Sequence, residues 1–137
     1  MTVDPDIARV IEAGYRAFSD GGDFGDFQAL MDPDMEWVEG GISPSAGTHR
    51  GRDSFVEWAR SWTESFEDFR IQPVDVFVEG DHVVLVLHQS GRGRGSGVPF
   101  EIELVHAWRI RGLRAVGWES YRTLELALAA LRSPSSD

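Results

Sequence analysis

No cysteine occurs among the 137 residues, which excludes disulfides, thiolate metal sites and a cysteine nucleophile together. Lysine is absent too: all 13 basic residues are arginine, against 23 acids, for a formal charge of −10. A chain this acidic lacks the basic stripe that a phosphate backbone demands, so nucleic acid is not an expected partner. Nowhere do 18 apolar residues run consecutively, and no basic segment leads into an apolar run near Met1. Neither a membrane span nor a secretory signal is expected, and the default is a cytoplasmic protein with no membrane partner. The four histidines form no i, i+4 pair and no His-Glu-x-x-His pattern, so no metal site is expected. No Gly-x-Ser-x-Gly elbow marks a serine hydrolase either.

What remains is a chain of one-domain length with 42% hydrophobic residues, enough for a single packed core. We read residues 1–137 as one domain, with an ordered core from about 5 to 131 and a frayed Ser/Pro tail over 132–137. The acidity is uneven: residues 1–40 hold ten acids and two arginines, while 91–122 hold six arginines and three acids. A solvated helical face is the plain explanation of the acidic half.

Asp4, Pro5 and Asp6 give a helix start, and Ile7, Ile11, Tyr15 and Phe18 recur at helical spacing up to Gly21-Gly22. A short helix around Asp26–Met31 is stopped by Asp32-Pro33, and Met35–Glu39 reads as a strand. Residues 40–53 read as an irregular connection. A helix follows from Asp53 or Ser54, where Ser54 and Glu57 suggest a capping box, with Phe55, Trp58, Ala59, Trp62 and Phe66 on one face. From Phe69 the period changes to two, giving strands near 69–79, 82–92, 98–111 and 115–122, then a helix near Leu124–Leu131. Helices first and a meander after predict an α+β fold, a curved antiparallel sheet wrapped around the N-terminal helices. The Gly-rich run 91–97 lacks the end of a P-loop and reads as a hairpin loop.

Polar residues interrupt two apolar faces. On the strand 98–110 the even positions are Val98, Phe100, Ile102, Leu104, His106, Trp108 and Ile110, so His106 lies within an apolar stripe. Tyr15 breaks the first helix's stripe in the same way, and Glu39 ends the first strand just before Gly-Gly. Taken singly, each has an ordinary explanation: a bonded core histidine, a half-buried tyrosine, a solvated carboxylate. His88 lies opposite Val83, Leu85 and Leu87, where it either lines a cavity or faces water. Which face of 115–122 points inward is open: Trp118, Ser120 and Arg122, or Glu119 and Tyr121.

The segments Tyr15–Asp23, Leu30–Trp37, Gly47–Asp53, Glu79–Val84 and His106–Ile110 together resemble the SnoaL-like proteins of the nuclear transport factor 2-like superfamily. The resemblance spans about residues 5–131. It implies a cone, the cystatin-like α+β barrel, closed around an apolar pocket and paired as a homodimer through its sheet. Apolar residues on both strand faces, Val83/Leu85/Leu87 against Val84/Val86, agree with a dimer.

Comparison with the ketosteroid isomerases of that superfamily sets Tyr15 at their catalytic tyrosine, Glu39 at their general-base aspartate and His106 at their buried, protonated aspartate. The function so implied is cofactor-independent proton transfer next to a carbonyl, in an isomerase or aldol-type cyclase. Glu39 would take the proton, and His106 and Tyr15 would stabilise the enolate oxygen. Trp37, Phe55, Trp58, Trp62, Trp108 and Trp118, with His88, are the candidate ligand-contacting residues. The alternative is a non-catalytic module holding an apolar small molecule in the same pocket. Epoxide hydrolysis would need carboxylates and arginine inside the cone, with Glu103, Arg109, Glu119 and Arg122 as its candidates.

Overall fold

The computed structural model describes residues 3–21, 23–39 and 47–132. Among them the elements run α1 (Pro5–Gly21), α2 (Asp26–Leu30), β1 (Met31–Glu39), β2 (Gly47–Arg50), α3 (Arg52–Glu64), β3 (Phe66–Glu79), β4 (His82–Gly93), β5 (Pro99–Arg111), β6 (Arg114–Tyr121) and α4 (Leu124–Arg132). The start of α1 is as expected. The Asp6 amide donates to Asp4 Oδ1 at 2.9 Å, and Ile7, Ile11, Tyr15 and Phe18 are the helix's buried stripe. Three boundaries differ from the sequence reading. Met31 is already extended, so α2 ends before Asp32-Pro33 and β1 begins four residues ahead of Met35. Gly51 precedes α3, which carries no side-chain cap; Ser54 lies within the first turn, and the expected capping box does not form the start. Phe66 opens β3 and is not part of the α3 face. Strand β2 falls in the stretch read as irregular. Residues 40–46 of that stretch, and the tail beyond Arg132, lie outside the described residues.

The strands form one curved, unclosed sheet in the order β2-β1-β6-β5-β4-β3. From β6 to β3 it is the expected antiparallel meander. The sheet is nevertheless mixed, because β1 lies parallel to β6, with Trp37 opposite Trp118 and Val38 opposite Glu119. Alternation in a sequence reveals which way a side chain points, but not which strand lies alongside. Gly117 makes the parallel pair possible: a Cβ there would collide with the Glu36 carbonyl oxygen.

The two faces of the sheet are covered differently. On the inner face, α1 and α3 close over Met35, Trp37, Ile71, Leu85, Leu87, Trp108 and Trp118. Helix α1 is tied to β3 by the Ile71 amide, which donates to Ser19 Oγ at 3.0 Å. On the outer face, α4 covers Val84, Val105 and Ala107 through Ala127, Leu124 and Leu131. Arg132 Nε and Nη2 hold the end of α4 to the Glu79 carboxylate at 3.0 Å each. Val84, part of the reason for expecting a homodimer, is thus buried within the chain. No helix among the described residues is long and apolar enough to cross a membrane.

Candidate functional site

Register turns the sheet's inner face into rows. Trp37, Trp118, Trp108 and Val83 lie side by side on β1, β6, β5 and β4. One row further along come Ser120, His106 and Leu85. The backbone of Glu39, one residue past the Val38–Glu119 pair, continues that second row on β1. Its side chain lies outside the described residues. The inward set of β6 is therefore Trp118 and Ser120, and Arg122 continues it at the cavity's edge.

Above the tryptophan row, a cavity of about 350 Å³ opens between α1, α3 and the sheet. Most of its wall is aromatic or aliphatic: Phe18, Phe24, Phe55, Trp58, Trp62, Phe66, Phe69, Phe100, Ile102, Leu104 and Trp118. Of the expected ligand-contacting residues, Phe55, Trp58, Trp62 and Trp118 line it. Trp37 and Trp108 do not; both are almost fully buried in the core beneath. His88 is also elsewhere. It faces the outer side of β4, where its Nε2 meets Glu101 Oε1 at 2.8 Å. Glu103, Arg109 and Glu119, the epoxide-hydrolysis candidates apart from Arg122, are exposed and do not reach the cavity. His49 is half-buried with its ring stacked on Trp37.

Tyr15 and His106 do meet. Tyr15 Oη lies 2.7 Å from His106 Nδ1 and accepts from Trp108 Nε1 at 2.7 Å. The indole has only a donor, so the hydroxyl must accept from it. The hydroxyl's own proton is then free to go to His106 Nδ1, which leaves the imidazole proton on Nε2. Burial reinforces the neutral state: it lowers the His106 pKa from 6.5 to about 3. Burial likewise pushes the Tyr15 hydroxyl well above its ordinary value, against a smaller lowering by the Trp108 hydrogen bond. Trp118 packs against the imidazole with ring centroids 4.4 Å apart. The result is a neutral imidazole held from behind, whose remaining proton is available to an acceptor in the cavity. A neutral histidine can serve as a hydrogen-bonding electrophile in this way.

Gln89 is a residue that the sequence reading passed over. It follows Val83, Leu85 and Leu87 on the inner face of β4 and lines the cavity. It is 4% exposed, and its Oε1 is buried with no hydrogen-bond partner. The period-two rule that singled out His106 would have found it. Among the described residues, no three His, Asp or Glu side chains cluster as a metal site.

These features match a known family. A model of the SnoaL-like domain fits residues 11–118, and the chain belongs to that family. Among solved structures, a nuclear transport factor 2-like protein from Burkholderia thailandensis is 29% identical, with a TM-score of 0.73 over 93% of this chain and 98% of its own. Bal32a, from a soil-derived mobile gene cassette, superposes with a TM-score of 0.75 at 18% identity, covering 94% of this chain and 98% of its own. A protein of ketosteroid isomerase-like fold from Catenulispora acidiphila, in complex with trimethylamine, has 21% identity and a TM-score of 0.67 over 96% of each chain. Comparison with curated proteins finds no match.

Proposed function

We propose that this SnoaL-like chain binds an apolar small molecule bearing a carbonyl, and that the carbonyl oxygen accepts a hydrogen bond from His106 Nε2. The observation that carries the reading is the Trp108–Tyr15–His106 chain, which fixes one neutral donor in the wall of an otherwise largely apolar cavity. A pocket with an apolar lining and few convergent polar groups is the usual form of a small-molecule site. Tyr15 is here a positioning residue: with its proton given to His106, it orients the imidazole and leaves the substrate oxygen to Nε2.

A second reading, catalytic proton transfer next to that carbonyl, is favoured by register, since Glu39 continues the row of Ser120 and His106 on the neighbouring strand. In this reading the Glu39 carboxylate removes a proton from the α-carbon. The C–H electron pair becomes the enolate double bond, and the oxyanion is held by His106 Nε2. Return of the proton completes an isomerisation or exchange without a cofactor.

One probe tests both readings. 4-Phenylcyclohexanone has an apolar body, one carbonyl and exchangeable α-protons. It is expected to perturb tryptophan fluorescence, because Trp58, Trp62 and Trp118 line the cavity, and His106→Ala is expected to weaken its binding about tenfold. Wild-type binding unaffected by His106→Ala would sink the first reading. For the second, α-deuterium exchange in heavy water should be accelerated by the protein and fall by about two to four orders of magnitude in Glu39→Gln, with binding retained. Binding without accelerated exchange leaves a binding module.

A further inference from the structure

Proton transfer and carbonyl binding leave Gln89 without a role. The side chain of an ordinary core position would be apolar, and Val83, Leu85 and Leu87, which precede it on the same face, are. A primary amide placed there brings two donors and an acceptor into the cavity wall. Its Oε1 is buried and unpartnered, whereas buried polar groups in folded proteins are almost always paired. The unpaired oxygen is turned away from the open cavity as it stands, and a turn of the terminal torsion of this cavity-lining side chain presents it to a complementary group on a ligand.

Its position gives a length. Gln89 pairs with Ile102 on β5, while His106 pairs with Leu85, so the two lie on adjacent strands two inward rows apart. Strand geometry then separates their backbones by about 14 Å. Allowing for two side chains reaching inward leaves polar ligand atoms on the order of 10 Å apart. Ile102, Leu104 and Phe100 line the cavity around this path, so the ligand body between the two polar ends is apolar.

We propose that Gln89 is a second polar contact in the cavity, and that the site selects elongated apolar ketones whose far end carries a hydroxyl. A hydroxyl both donates and accepts, so it satisfies the amide in either orientation of its terminal torsion. The inference rests on the carbonyl reading of His106 and extends it to a substrate class. A site built to pair a hydroxyl discriminates against the analogue that lacks one, because the protein group is then left unpaired.

The test is a matched pair, 4-(4-hydroxyphenyl)cyclohexanone and 4-phenylcyclohexanone, titrated against wild type and Gln89→Met. Methionine keeps the unbranched shape and removes the polar groups. Wild type is expected to bind the hydroxylated ketone about tenfold more tightly, and Gln89→Met should bring the ratio of affinities to about one. Equal affinity in wild type, or a ratio that survives in Gln89→Met, overturns the proposal while leaving the carbonyl site intact. Failure of both ketones to bind wild type overturns the carbonyl site, and this proposal with it. Thermal unfolding of the ligand-free proteins gives an independent readout. Gln89→Met should melt no lower than wild type, since it removes an unpaired buried group; a markedly lower midpoint, or failure to fold, would assign the amide a structural partner and overturn the proposal.

Discussion

Tyr15 has a single hydroxyl proton, and its two neighbours decide where that proton goes. Trp108 can only donate to it, so His106 Nδ1 receives it. Tyr15→Phe leaves both a buried indole N–H and a buried imidazole nitrogen unpaired, and is expected to lower unfolding stability by at least about 1–3 kcal/mol in urea titration. The same burial gives a pH signature. His106 titrates near 3 when folded and near 6.5 when unfolded, so between those values the unfolded chain holds a proton that the folded chain refuses. Stability attributable to this residue is complete above pH 6.5 and declines as pH falls toward 3, by about 1.4 kcal/mol per unit. His82, also lowered mainly by burial, acts in the same direction. His106→Gln, which keeps a partner for Tyr15 and removes the titrating ring, should flatten His106's share of this acid limb in denaturation curves measured from pH 7 to pH 4. At this scale the meeting of Tyr15 and His106 in the candidate site was legible in the sequence. Tyr15 and His106 break apolar stripes, and a polar residue inside such a stripe has to be answered by another. Gln89 obeys the same rule but closes its stripe at the strand's far end, where a polar residue is easily taken for an exposed one. Trp37 and Trp108 could not be told from cavity walls, because period two gives the face of a sheet and not the depth along it.

Helix α1 contains a glycine whose replacement would ordinarily be favourable. In a helix interior, alanine exceeds glycine by about 1 kcal/mol. Gly14, however, faces α2: a Cβ there would lie 2.5 Å from Phe27 Cβ and 3.0 Å from the Phe24 carbonyl oxygen. Neither atom is the free end of a flexible side chain. Gly14→Ala is therefore expected to reverse the usual sign and destabilise by about 1–3 kcal/mol in chemical denaturation, and a stabilised variant would show that α2 can move aside. Elements whose definition is local were readable in advance, namely α1 with its Asp4 cap, the β3–β6 meander and α4. The extension of β1 back to Met31 was not, because it follows a contact with Ala115 on β6, far along the chain. Strand β2 pairs with its neighbour in sequence, β1, but its four residues, Gly47–Arg50, carry no period-two apolar pattern to mark them as a strand.

For the molecule as a whole, α4 is the element that separates the sheet's outer face from its surroundings. Ala127 is fully buried against Val84, Val105 and Ala107, so Ala127→Glu should lift the helix and expose an apolar patch. The apparent mass in light scattering is expected to rise above that of wild type at equal concentration. An unchanged mass with unchanged α-helical circular dichroism would show that the carboxylate is accommodated and the cover holds. The parallel pairing of β1 with β6 has a consequence of another kind, in the order of events during synthesis and folding. Strands β3 to β6 join through neighbours in sequence and can pair as local hairpins, whereas β1 is made early and must wait until α3 and β3 to β5 have followed before its partner exists. Non-local pairing of this sort bears the entropy of closing a long loop and is slow. The tryptophan row beneath the cavity spans that late seam, with Trp37 on one side and Trp118 on the other. The cavity is thus among the last features to form, and any ligand that filled it would favour the finished chain over every partly folded one.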